Sequence, residues 1–463
     1  MIQEEWPLQP GSVFEFWFDS AICLWILMTS VVKFLKMPPF AEKSWPEIPY
    51  PSKRDEGIPN VESWLEGRKI DDGAENLWRV HDKLYDLNSF VEQHPGGAMW
   101  LSLTKGTDIT EAFECHHLTP AAEKLLPKFY VKDATSPRSS PFTFKPNGFF
   151  RTIKRKVLKH FDYKTPQISR ISTTFLDLFF FSALTFSVLA AKHESIGFAA
   201  LAGVMFGFVI NCGHNFVHMK DMWRNYYYYF TGFSVRDWRI SHCLSHHLYP
   251  NTLQDLEISL FEPTLQFLPN KNKPTWARFG PLLYSPIVWA LAPAFQIFNK
   301  VRLGTFFLPN YLVFVPPVLM LILGNFQFYT ILLWIDILLF IGLTFTSIGL
   351  TAAHHDYESF HEGDKPRDDT DWGLHQVDAI HERKELIGNT YVGLVVFGEH
   401  TLHHLFPTID HVHLKELIPI FKETLEEFGV PMNEKSYPEI IANTFVQLAR
   451  NRPNMIVRKQ KKA

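Results

Sequence analysis

Gly398-Glu-His-Thr-Leu-His-His-Leu-Phe-Pro407 places three histidines, His400, His403 and His404, within five positions. Residues three and four apart share one face of a helix, so these imidazoles project together. Imidazole is the commonest side-chain metal ligand and suits iron, zinc, copper and nickel. The chain has 21 His, so the weight of this cluster depends on whether others can meet it. Gly213-His-Asn-Phe-Val-His218 sets His214 and His218 four apart, and Ser241-His-Cys-Leu-Ser-His-His247 holds His242, His246 and His247. Ala353-His-His-Asp356 adds His354 and His355.

Composition bounds the partners. A length of 463 residues exceeds one ordinary domain. A net charge of −3 gives a nucleic-acid partner no electrostatic support. The four cysteines include no C-x-x-C pair, which disfavours a disulfide framework or thiolate zinc site and fits a reducing compartment. Mean hydropathy is −0.06, but apolar residues gather in the second half of the chain.

Residues 13–35 are apolar and interrupted by Glu15 and Asp19, which reads as an interfacial or packed helix first and a membrane anchor second. Pro38 to Pro59 is Pro-rich and charged, as a linker would be. Leu77 to Leu87 alternates around a tight turn, the pattern of a small hairpin. His94-Pro-Gly-Gly97 bends sharply, and Thr107 or Asp108 can cap a helix ending near His116 and His117. A Ser-, Thr- and Pro-rich stretch, Asp133 to Pro146, forms a second linker.

Beyond it, Arg151 to Lys159 is basic and precedes the apolar run Thr174 to Ala191, which puts this flank on the cytoplasmic side. Further spans are expected over Ile196–Asn211, Phe306–Leu323 (kinked at Pro309, Pro316 and Pro317) and Phe328–Leu350, with Pro281–Phe298 a bent interfacial helix. Four crossings, paired two and two, bring every histidine group out on the same side. Lys459 and Lys461 have a spacing similar to a dilysine retrieval signal of the endoplasmic reticulum.

Leu77-Trp, Tyr85-Asp-Leu, His94-Pro-Gly-Gly, Gly106-Thr-Asp and Phe113 before His117 together resemble a cytochrome b5 haem domain, over about Pro59 to Lys132. The resemblance implies haem b held axially by His94 and His117, with His116 the alternative second ligand. Two axial imidazoles leave iron able to pass electrons but not to bind oxygen. The portion from Asn147 to Leu417 resembles the membrane fatty-acid desaturases, in particular those fused to cytochrome b5.

That family implies two non-haem irons held by His214, His218, His242, His246, His247, His400, His403 and His404, with His354 or His355 completing the set. It also implies a lipid acyl chain as substrate, O2, and electrons from NAD(P)H through cytochrome b5 reductase. Cys243 stands where the family's second box usually has its first histidine, and His242 lies one residue earlier. His400 replaces a glutamine common in b5-fusion members.

The expected architecture is a small α+β haem domain followed by an all-α membrane domain of four transmembrane helices with a cytosolic helical cap. The division expected is 1–58 N-terminal helix and linker, 59–132 haem domain, 133–150 linker, 151–425 membrane di-iron domain and 426–463 tail. The expected activity is an oxidoreductase, a multi-pass acyl-lipid or acyl-CoA desaturase of the endoplasmic reticulum membrane. Lipid hydroxylation on the same scaffold, or a haem electron carrier that has lost catalysis, are the alternatives.

Overall fold

A computed structural model describes residues 42–456 and residue 458; the apolar run 13–35 and the dilysine tail lie outside the described residues. The chain begins its described part with a small α+β unit. The Val61–Asp71 helix starts where the Asn60 side chain accepts from the Ser63 amide. Strands Trp78–Val80 and Lys83–Tyr85 form the expected hairpin, Trp78 facing Tyr85, and Tyr130–Asp133 adds a third antiparallel strand. Trp78, Val80, Leu101, Ile109 and Phe113 make its core. The Thr110–His116 helix begins after Asp108, whose carboxylate accepts from the Thr110 amide at 2.9 Å.

Among the described residues, three helices are long and apolar enough to cross a membrane: Arg170–Lys192, Ile196–Val217 and Phe328–Leu350. The expected third span differs. Pro316 and Pro317 each lack an amide hydrogen, and the segment is a 3-10 turn (Asn310–Phe314), an α turn (Val315–Leu319) and a π turn (Met320–Gly324). Its fifteen residues cover roughly 22 Å at α-helical rise. It still reaches the far side. Gly324 lies against Ala191 and Lys192 at the end of the first span, and Asn325 donates to Glu194 in the first far-side connector at 3.3 Å. Pro281–Ala290 and Ala292–Arg302 meet at a 60° bend. One end is tied to the cap through Tyr284 and Thr264, the other through Lys300 and Asp237, so this pair is a bent element and not a further crossing.

The helical cap has its own apolar core, in which Phe149, Phe150, Trp372, Leu405, Phe406 and Leu414 are all buried. Helices Phe149–His160 and His411–Glu427 cover it. Both stretches read as linkers are packed into this body where they are described. Trp45 is buried between Phe142 and Phe360, and Ser44 donates its amide to Glu362 at 2.6 Å. Arg138 bonds Asp108 and Glu111, and Phe142 is buried. Proline and charge marked these segments as irregular; their few large apolar side chains dock them.

Close packing of the second and last spans sets the helix ends that carry the histidines. A Cβ at Gly203 would lie 2.3 Å from the Phe340 Cβ and 2.8 Å from the Ile337 carbonyl oxygen. Small residues permit this approach between membrane helices. Gly203→Ala is expected to lower thermal stability by about 1–3 kcal/mol, measured as the melting midpoint of detergent-purified protein. Gly197→Ala, whose nearest neighbour would be the Ser195 hydroxyl at 3.5 Å, is expected to melt no lower than the parent.

Candidate metal centre

Each histidine group sits at an element end. His214 occupies the last turn of Ile196–Val217, and His218 closes that helix. His354 follows directly after Phe328–Leu350. His400, His403 and His404 lie on the short helix His400–Leu405, whose first amides, from His400 and Thr401, donate to the Glu382 carboxylate. His242 and His246 lie on a π-helix, Arg239–His246. Its widened turn is closed by the His247 amide donating to the His242 carbonyl, five residues back, at 2.8 Å. Such π turns recur at functional sites. Here the turn absorbs the extra residue between His242 and the His246-His247 pair and leaves all three rings on one side.

Among the described residues the rings gather into two buried groups. One is His214, His218, His242, His247 and His403; the other is His246, His354, His400 and His404. In the first, Nε2 of His242 lies 2.6 Å from that of His214 and 3.0 Å from that of His247, and His403 is 3.1 Å from His214. In the second, His354 Nε2 lies 3.0, 2.8 and 3.1 Å from Nε2 of His246, His400 and His404.

Hydrogen bonds, at one proton per ring, cannot satisfy all of these contacts at once. His242 Nδ1 faces the Glu257 carboxylate at 2.9 Å, His246 Nδ1 faces Asp255 at 2.9 Å, and His404 Nδ1 faces the Gln376 Oε1 at 3.0 Å. Those acceptors fix one proton on Nδ1, so Nε2 presents a lone pair whenever the ring is neutral. Lone pairs of His246 and His404 therefore both point at His354 Nε2. A cation resolves the convergence. Metal–nitrogen bonds of about 2.1 Å at right angles place neighbouring nitrogens about 3 Å apart, close to the spacings seen. An outer acceptor on the second ring nitrogen is the usual support of a ligating imidazole. Burial above all, then the neighbouring imidazoles, pushes His247, His354, His403 and His404 well below the ordinary histidine range, so they are unprotonated at neutral pH. Burial also acts on His246, but Asp255 and Glu257 outweigh it and raise that group.

His355, expected as a ligand alongside the alternative His354, does not join either group. Its ring stacks on Phe267 at 3.6 Å and 15°, turned away from the cluster, and His354 takes the place. Consecutive residues leaving a helix point in different directions, and the sequence carried no signal of which faces inward. Asp255, Glu257 and Gln376 were missed because their link to the histidines is spatial. His411 was missed because it lies outside the box spacing; it is buried with its ring 4.3 Å from that of His403. Asp356, Glu358 and His381 also cluster, but the Lys435 ammonium lies 2.9 Å from both carboxylates and fills the cation's role.

In the small α+β unit, the rings of His94 and His117 face each other with centroids 6.2 Å apart. Two metal–nitrogen bonds of about 2 Å each, plus the two ring radii, span about this distance. His94 Nδ1 lies 3.0 Å from the Gly97 carbonyl oxygen and His117 Nδ1 lies 2.9 Å from that of Phe113, which leaves both Nε2 atoms free for an iron between them. His116 points elsewhere, toward Trp100 and His218.

Two family models match the chain: "Cytochrome b5-like Heme/Steroid binding domain" over residues 63–134 and "Fatty acid desaturase" over residues 195–436. The chain is 38% identical over 427 residues to the cytochrome b5-related protein of Drosophila melanogaster, covering 89% of this chain and 97% of the relative. It is 24% identical to the probable Delta(5) fatty acid desaturase C of Dictyostelium discoideum, covering 80% of this chain and 90% of that one. It is likewise 24% identical to the acyl-lipid (8-3)-desaturase of Mortierella alpina, covering 76% and 88%. No solved structure matches the chain. With the desaturase model spanning the histidine groups and the haem-domain model preceding it, the chain belongs to the fatty acid desaturase family, as a member with a fused cytochrome b5-like domain.

Proposed function

We propose that the protein is a membrane acyl-chain desaturase. The observation that carries this reading is the pair of all-histidine groups, five rings and four, side by side beneath the spans. His214, His218, His242, His247 and His403 would hold one iron; His246, His354, His400 and His404 would hold the other. His94 and His117 would hold haem b. When bound, the iron pair supplies O2 activation strong enough to break an unactivated C–H bond, which no side-chain acid or base can do.

The chain's own residues prepare that chemistry. Glu257, Asp255 and Gln376 fix ring tautomer and orientation. Trp238 packs on His214 and His242, and Phe345 of the last span packs on Trp238, so the centre has an apolar wall on its membrane side. Water is kept from the reacting centre there. Cys243, which motivated the lapsed-carrier alternative, is buried 3.8 Å from His218, and the π turn supplies His242 in place of the expected histidine. A complete ligand set favours a working enzyme over a carrier. The haem and histidine groups are proposed to face the cytosol of the endoplasmic reticulum, with a cytochrome b5 reductase donating electrons from NAD(P)H.

Purified protein is expected to carry about two non-haem irons per haem. His354→Ala and His403→Ala should lose that iron and keep the haem spectrum, while His355→Ala should keep both; elemental analysis beside the Soret band decides. Glu257→Gln is expected to weaken iron retention about 10- to 100-fold, read by competition with a chelator. In a host membrane, wild type should add an unsaturated acyl species that His403→Ala does not. A hydroxylated product without an alkene would point to the hydroxylase, and identical lipid profiles would remove the enzymatic reading.

A further inference from the structure

His116 belongs neither to the His94 and His117 pair nor to the histidine groups, yet it stands between His117 and His218. It is the covalent neighbour of His117 and ends the Thr110–His116 helix. Its ring lies 6.0 Å from that of His218, tilted by 30°, and 5.5 Å from that of Trp100. Its Nδ1 lies 3.1 Å from the Ala112 carbonyl oxygen and so donates there; Nε2 is buried and has no partner. The Thr408 hydroxyl, just past the third histidine box, donates to the His116 carbonyl at 3.3 Å. Arg239, fully buried at the start of the π-helix, clamps the contact. Its guanidinium lies 4.7 Å over Trp100, donates to Asp221 at 2.6 Å and bonds the carbonyls of Val217 and Met219 beside His218.

We propose that His116 is the bridge through which electrons cross from the haem domain to the five-histidine group, an inference that rests on the desaturase reading above. In each pass a ferrous haem iron held by His94 and His117 would give up one electron and become ferric, and a ferric iron held by His218 would accept it and become ferrous. No bond or proton changes hands at His116, and its ring is neither oxidised nor reduced. Two such passes, each after the reductase has restored the haem from a reduced nicotinamide, supply the two electrons of one turnover. Tunnelling falls steeply across empty space and less steeply through bonds and packed rings. The route from His117 along one peptide to His116, then ring to ring to His218, is continuous in that sense. His116 is a positioning residue in this scheme, since it acts through its neighbours.

The test uses full-length, haem- and iron-loaded protein under anaerobic conditions. A flash-generated one-electron donor reduces the haem, and the ferrous α-band is followed as it decays. Wild type is expected to decay at a rate independent of protein concentration. His116→Leu should keep its Soret band, haem potential and non-haem iron but decay about tenfold more slowly or worse, and His116→Phe, which restores a ring, should recover most of the rate. A His116→Leu rate equal to wild type overturns the bridge, as does a His116→Phe rate as slow as that of Leu. If the Leu variant loses haem, the Phe variant and His116→Asn carry the comparison. Wild-type protein without non-haem iron would overturn the desaturase reading itself. Wild-type protein with full iron and no internal decay would overturn the bridge alone.

Discussion

Nine imidazoles packed into one buried space are a physical problem before they are an active site. A neutral imidazole offers one donor and one acceptor, and here carboxylates and an amide already take the donors of His242, His246 and His404. Each remaining ring has one proton at most, too few to satisfy every contact made by a nitrogen such as His354 Nε2, which faces three others. Protonating them would place like charges about 3 Å apart in a buried region. Cations at the two foci would satisfy the arrangement, and much of the surrounding structure holds the rings in place. Spans deliver His214 and His354 at their ends, a π turn aligns the second box, and Glu382 caps the short helix of the third.

The haem domain is not a tethered appendage. Tyr249, two residues beyond His247, donates to Glu111 at 2.9 Å and accepts from Arg68 at 3.0 Å, both on helices of the haem domain. Arg138, from the stretch read as a linker, bonds that same Glu111. Arg239 reaches from the second box to Met99 and Trp100. A hinge between the two parts would break these buried charge-assisted bonds, whose loss is heavily penalised. The fusion therefore fixes the haem domain against the histidine groups instead of leaving it on a flexible tether.

Much of the fold was legible because its signals are local. Apolar runs gave the two long spans before the second box and the last span, alternation around a turn gave the hairpin, and the pair His94 and His117 followed from motif order. The third span was located but not its form, since prolines break α geometry without specifying what replaces it. Packed linkers escaped because a few aromatic residues, Trp45 and Phe142, outweigh a polar composition once they find a pocket.

By itself the sequence determined which residue types can gather, at which ends of the apolar helices, and beside what kind of haem domain. Those follow from composition, hydrophobic runs and spacing along the chain. Only the tertiary structure decided that His354 and not His355 turns inward, that His242 joins the cluster despite its displaced position, that Asp255, Glu257 and Gln376 support it, and that His116 of the haem domain packs beside His218. Each of these depends on side-chain direction and on contacts between residues far apart in the chain, which spacing along one strand of sequence does not encode.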